Sequence, residues 1–336
     1  MIPMGSCLLC VLTLLAADAG AAEPSATPGY RVLKKIPLGG EGGWDYLTFD
    51  GDARRLYITR ADRVMVMDVD KGTLVGEVAN TRGVHGVALV PKRNRGFTSN
   101  GGDSTVTVFD IKSLRELARI KVGTRPDAIV YEPASGQVFT CNAGSKDATI
   151  IDPETNKVVG TIQLGGKPES AVADGQGHIY VNLEDKNEVV ALDARNLTVL
   201  HRWPLAPGEE PIGLAMDRTR RRLFATCHNQ KMVVLDADSG RIVATPMIGK
   251  GTDACVYDPD TGLAFSSNVD GTLTIVREDS KAQYAVAENV TTQEGARTMA
   301  LDPKTHNLFL VTARAKPGQK RVYEPGTFVV LVVGKK

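Results

Sequence analysis

The sequence is short of nearly everything that announces a known chemistry. It holds no G-x-x-x-x-G-K-[ST] phosphate loop, no G-x-S-x-G nucleophile turn, no H-E-x-x-H metal pair and no C-x-x-C-H haem anchor. Neither sign of charge prevails. Against 39 Asp+Glu stand 40 Lys+Arg, a formal net charge of +1, which excludes a strongly basic nucleic-acid surface or an acidic tail as the organising feature. Two Trp and five Cys in 336 residues are too few for a disulfide-dense scaffold. Beyond the first 22 residues there is no helical periodicity, and no apolar run nears the ~18 residues a helical membrane span requires.

What is present begins with an uninterrupted apolar run of 11 residues at 7–17 (CLLCVLTLLAA), sized for a signal-peptide core. Ala19, Gly20, Ala21 and Ala22 follow, small enough for cleavage before Glu23, although residues 1–6 lack the usual Lys or Arg. The expectation is a signal peptide over 1–22, a short linker over 23–29 and one domain over 30–336, exported to the periplasm or secreted, without a membrane span in the mature chain. Removal of Cys7 and Cys10 leaves Cys141, Cys227 and Cys255, so at most one disulfide forms. Buried thiols acting as small hydrophobes account for them better.

The main signal is internal repetition. Tyr57, Phe97, Phe139, Tyr180, Phe224, Phe265 and Phe309 recur at intervals of 40, 42, 41, 44, 41 and 44 residues. Twelve residues before six of them lie Asp45, His85, Asp127, Ile212, Asp253 and Arg297; Glu169 lies 11 before Tyr180. Each unit reads as four short strands. In the third these are 127–131, 137–141, 148–152 and 157–164, rich in β-branched residues and separated by Pro, Gly, Asp and Asn. Four-stranded units of ~40–45 residues are propeller blades. The last unit stops after three strands, and residues 32–40 match 158–166 in frame at an offset of 126, three times 42. The predicted fold is therefore all-β: a seven-bladed β-propeller of four-stranded blades, the last completed by the N-terminal strand.

Gly-x-x-Pro lead-ins at 123–126, 165–168 and 208–211, Asp-Pro turns at 258–259 and 302–303, and the Ile-Asp-x-x-Thr-x-x-Val-Val-x-x-Ile segment at 151–162 carry a family likeness. The chain resembles the YVTN-type seven-bladed propellers, which include the YncE-like exported bacterial proteins, over residues 30–333. The name-giving tetrapeptide is degenerate here, as at 97–100, 139–142 and 265–268. The resemblance implies periplasmic or surface localisation and binding of a ligand or partner, nucleic acid in some members.

The first strand of each blade lines the central channel, so Asp45, His85, Asp127, Glu169, Ile212, Asp253 and Arg297 are expected to form one ring at its mouth. A second ring, three residues past the aromatics, comprises Arg60, Asn100, Asn142, Leu183, Cys227, Asn268 and Thr312. Acids, Asn carbonyls and a His suit Ca²⁺ or Mg²⁺, with Asp127, Glu169 and His85 as candidate ligands, or a polar small molecule. Solvated channel charges and structural Asn are the competing reading. Asp68, Asp110, Asp152, Asp193 and Asp236 end third strands and are read as turn-formers. The basic run 218–222 lies in a turn, and the long insertion 313–326 is placed to cover the channel mouth or meet a partner.

The leading expectation is a monomeric exported propeller that binds a small molecule or protein partner, or acts as a scaffold, through its funnel. One alternative is a metal-assisted lactonase or lyase with Glu169 or Asp127 as base, His85 as acid–base partner and Arg297 holding an anionic substrate. Another is a DNA- or surface-contacting protein working through basic turns.

Overall fold

The computed structural model describes residues 1, 28–280, 283–319 and 322–336, with no side chains at 279 and 280. The expected signal peptide lies almost wholly outside the described residues. Seven four-stranded antiparallel sheets follow one another. Blade three runs Pro126–Glu132, Gln137–Asn142, Asp147–Asp152 and Lys157–Gln163, within a residue of the strands read from turn chemistry. The five aspartates at third-strand ends form the expected turns. Asp68 Oδ1, for example, accepts from the Asp70 and Lys71 amides at 3.1 and 2.9 Å, and Asp110, Asp152, Asp193 and Asp236 repeat the arrangement.

The repeat aromatics hold neighbouring blades together. The core divides into seven apolar clusters, each spanning one blade junction and each containing one of the seven aromatics. Phe139 of blade three packs with Ile179 and Val181 of blade four; Phe309 of blade seven packs with Leu56 and Ile58 of blade one. All seven rings are at most 4 % exposed. A second set of ties runs along the far rim, where buried acids at first-strand ends meet the next blade. Arg54 Nη1 lies 2.7 Å from Asp302, Arg221 Nη1 2.8 Å from Asp174, and His306 Nδ1 2.9 Å from Asp258.

Closure follows the predicted route. Strands Thr298–Asp302, Asn307–Thr312 and Val329–Lys335 make three-quarters of blade seven, and Tyr30–Pro37 completes it. The pairing runs from Tyr30 opposite Lys335 to Pro37 opposite Val329. It covers a strand edge that would otherwise be open to pairing with other chains. Tyr30 stacks edge-on against Phe265 at 5.3 Å, and Ile36 enters the junction between blades seven and one. Cys141, Cys227 and Cys255 are buried free thiols, as their scattered spacing implied. Among the described residues no helix is long and apolar enough to cross a membrane.

Ile36 is only 6 % exposed, so Ile36→Ala should cost about 2–5 kcal/mol in a urea melt. The exposed neighbour Leu33, on the same strand, should cost under about 0.5 kcal/mol when replaced by Ala. Equal, negligible effects would mean that the N-terminal strand is an ornament and not part of the ring.

Candidate functional site

The ring at the channel is built by a repeated irregularity. In blades two to six the pairing of first and second strands skips where the innermost strand begins: between Val84 and Gly86, Pro126 and Ile129, Pro168 and Ala171, Pro211 and Gly213, and Thr252 and Ala254. His85, Asp127, Glu169, Ile212 and Asp253 fall inside these skips. A bulged residue leaves the ladder and its side chain is re-aimed. The preceding blade then grips the start of the inner strand by a carbonyl, in bulged blades three and five and in blade seven alike. Ser99 Oγ donates to the Asp127 carbonyl, Ser267 Oγ to that of Arg297, and Asn182 Nδ2 to those of Ile212 and Gly213 at 3.3 and 3.0 Å.

These positions bring six expected residues together. His85 Nδ1 lies 2.5 Å from Asp45 Oδ2 and 3.7 Å from Asp127 Oδ1. Lys167 Nζ lies 3.2 Å from Glu169 Oε2 and also pairs with Glu184. Arg297 Nε pairs with Asp253, and its Nη2 donates to the Trp44 carbonyl at 2.8 Å. The ring therefore sorts itself into three groups. Arg297 and Lys167 answer Asp253 and Glu169, whereas two carboxylates, Asp45 and Asp127, share one imidazole.

Sequence reasoning missed the residue at the centre. Immediately after the ring residue of blades two to seven stands a small one: Gly86, Ala128, Ser170, Gly213, Ala254 and Thr298. Adjacent inner strands pack closely there; a Cβ on Gly213 would stand 2.7 Å from the Cys255 backbone nitrogen. Blade one breaks the column with Tyr46. Its N–H donates to the His85 carbonyl at 3.1 Å, and its hydroxyl crosses the channel to the Glu169 carbonyl of blade four at 3.2 Å. Burial, then the charges of Asp127, Glu169, Asp45 and Asp253, push the phenol well above its ordinary range. The same crowding acts on the acids. Burial raises Asp127 and Glu169, opposed by His85 in one case and by Lys167 in the other. His85 is pulled down by burial, but the Asp45 hydrogen bond and the charges of Asp127, Asp45 and Glu169 outweigh it and carry the imidazole up to about 9.

The second ring lies elsewhere. Asn100, Asn142 and Asn268 are fully buried within their blades, and their amides donate to third-strand side chains. Asn100 bonds Thr105 and Thr107 at 3.0 and 2.9 Å, Asn142 bonds Asp147 and Thr149 at 2.6 and 2.9 Å, and Asn268 bonds Thr272 and Thr274 at 3.1 and 3.3 Å. They tie second strands to third strands and do not line the funnel; an amide three residues past the aromatic faces the blade junction, not the axis. Arg60, Leu183, Cys227 and Thr312 are equally buried. The basic run is engaged within the molecule. Arg218 donates to the Ala173 carbonyl, Arg220 reaches Asp217, Arg221 binds Asp174 and Asp238, and Arg222 binds Asp236. Within the insertion Ala315 forms an antiparallel bridge with Tyr323, whose ring lies 4.4 Å from that of Trp44.

Between about pH 6.5 and 9 the folded chain binds protons at His85 more tightly than the unfolded chain. The stabilisation is thus complete below about pH 6.5 and lost as pH rises through about 9; the raised Asp127 carboxyl acts in the same direction. An NMR titration of the His85 ring should give a midpoint near 9, and Asp45→Asn should lower it. A midpoint at the ordinary imidazole value in the wild type would contradict the close pairing of His85 with Asp45 and Asp127.

With this geometry in place, comparison with known proteins adds the family. The chain is similar to the solved structures titled "Structure of U3-55K" and "Crystal structure of RRP9 WD40 repeats". The first superposes with a TM-score of 0.74 at 10 % identity over 91 % of this chain and 99 % of that one. The second gives 0.75 at 10 % identity over 91 % and 98 %. At such identities the likeness is one of fold. No curated protein matches the chain. A family model described as outer membrane protein assembly factor BamB matches residues 102–322. The seven-bladed repeat stands, and the family matched is not the YVTN-type one that the lead-ins resemble. By that match, over roughly two-thirds of its length, the chain belongs to the propeller-repeat family described as outer membrane protein assembly factor BamB.

Proposed function

We propose that this protein is an exported propeller that works as a binding or scaffold protein, with a funnel that takes up a cationic group from a small ligand or a partner side chain. The observation that carries the reading is the uneven pairing in the ring: Asp45 and Asp127 face one imidazole between them. Arg297 is engaged by Asp253 and by the Trp44 carbonyl, which leaves it poorly placed to hold an anionic substrate. Export rests on the apolar run at 7–17 and agrees with a family named for outer membrane protein assembly. The Gly-x-x-Pro lead-ins keep the YVTN-type, YncE-like relationship as a finer assignment within the propellers. Contact with DNA through the basic turns is disfavoured, because Arg218, Arg220, Arg221 and Arg222 already have partners within the chain.

One observation favours a divalent cation as the occupant. Ligand atoms of Asp45, His85 and Asp127 all lie within 4.8 Å of one another, and two carboxylates with one imidazole are a donor set that Ca²⁺ or Mg²⁺ accepts through its oxygens. A metal-assisted lactonase or lyase would use this cluster, with Asp127 as the buried base. Glu169 is the weaker base because Lys167 sits on it.

A cation at this cluster competes with protonation of His85, so affinity should rise with pH toward 9. CaCl₂, MgCl₂ and cadaverine titrated separately at pH 8.5 should include one that raises Tm saturably, by the equivalent of about 2.7 kcal/mol at a hundred times its Kd. The Asp45→Asn/Asp127→Asn variant should lose that response. If none of the three moves Tm, or if the variant responds like the wild type, the funnel reading is wrong. Metal found by elemental analysis of purified protein and removed by EDTA, with a fall in Tm, would select the divalent ion over the amine.

A further inference from the structure

Away from the funnel ring, the junction of blades seven and one encloses a guanidinium that pairs with no carboxylate among the described residues. Arg60 ends the second strand of blade one and is 1 % exposed. Its guanidinium carbon sits 3.7 Å over the Phe328 ring. Nη2 donates to the Glu41 carbonyl at 2.7 Å, while Nε and Nη1 are buried without a hydrogen-bond partner. A second cation acts on it. Arg63 donates to the same Glu41 carbonyl at 3.3 Å, and burial together with Arg63 pulls the Arg60 guanidinium down to about 10. Arg63 has Asp62 at 3.0 Å and Glu77 at 3.5 Å; among the described residues Arg60 has no such acid.

A guanidinium carries five donors in a planar fork that matches a carboxylate or a phosphate in pairs. Enclosing it with three of the five idle, one on Nε and two on Nη1, costs folding free energy unless something else uses them. Stacking on Phe328 offsets only part of that cost. Beside it lies a cavity of about 360 Å³, lined by Arg60, Gly40, Phe328, Tyr323, Val322 and Lys316. Its lining combines aromatic and aliphatic side chains with two cations, Arg60 and Lys316, and two acids, Glu41 and Glu324. The Glu324 carboxylate, also at the wall, is held by Arg314 at 2.9 Å. Gly40, at φ +78°, lies against both guanidinia. A Cβ there would stand 3.5 Å from Arg63 Nη2 and 4.0 Å from Arg60 Nη2, and the left-handed backbone disfavours any side chain in that place.

We propose that this cavity binds a small monocarboxylate, its apolar body against Phe328 and Tyr323 and its carboxylate on the idle donors of Arg60. A small shift of the guanidinium toward the cavity brings those donors to the ligand. The site shares no side chain with the funnel ring, so each can fail without the other.

Trp44 supplies the readout, since its ring lies 4.4 Å from Tyr323 and 5.5 Å from Phe328. With Trp203→Phe, Trp44 becomes the sole tryptophan. Cyclohexanecarboxylate titrated into that protein should change the emission saturably, and NaCl at matched ionic strength should not. Arg60→Met should abolish the change and raise Tm, because it removes an enclosed cation that lacks a partner. Should Arg60→Met fail to fold, Arg60→Lys, which keeps the charge and loses the fork, should weaken binding at least about tenfold. Saturation by inorganic phosphate alone would overturn the carboxylate with an apolar body. No saturable response to either probe, or an undiminished response in the Arg60 variants, would overturn the site.

Discussion

Adjacent blades stay together because each buries a face against the next, and this junction packing is what everything else in the molecule depends on. A single four-stranded sheet of this size has two apolar faces and no core of its own. Seven interfaces, each organised around one aromatic ring, supply what one sheet cannot. Such a ring is stable only when its last interface forms. The N-terminal strand forms it, with Ile36 in one junction cluster and Tyr30 in the neighbouring one.

Rigid junctions allow irregular backbone at the axis. The bulges that release His85, Asp127, Glu169 and Asp253 give up ladder hydrogen bonds. Ser99, Asn182 and Ser267 of the preceding blades hold the carbonyls of Asp127, of Ile212 and Gly213, and of Arg297. Polar residues of the tetrapeptide that first looked like recognition groups thus have a division of labour. In three blades the residue two past the aromatic fixes the next blade's inner strand, and in three the Asn three past it ties strands within its own blade. Scaffold and site are linked through these side chains. Crowding four carboxylates around the Tyr46 phenol follows from that rigidity, because a looser ring would let them separate.

Much of the candidate site was legible before any coordinates. The ring at Asp45, His85, Asp127, Glu169, Asp253 and Arg297 follows from counting backward from the aromatics, because residues at one repeat position occupy one place around the axis. Tyr46 was legible in principle, being the one bulky residue in a column of small ones. That signal becomes readable only once the column is known to mark close strand approach. Asn100, Asn142 and Asn268 could not be assigned by counting, since the repeat gives a position along the strand and not the surface to which the side chain turns. Local hydrogen-bonding partners, Thr and Asp on the third strand, decided that.

By itself the sequence determined the number of blades, the strand order, the closure and the membership of the ring. All of these depend on periodic burial, which is a local property of residue type and spacing. Tertiary structure alone decided which charges meet. Arg297 falls to Asp253, Lys167 to Glu169, and the His85 imidazole to both Asp45 and Asp127, while Arg60 is enclosed beside Phe328 without an acid. Electrostatic energy varies with distances of a few ångströms across chain separations of 40 residues or more, as between Asp45 and His85. No reading of spacing along the chain contains those distances.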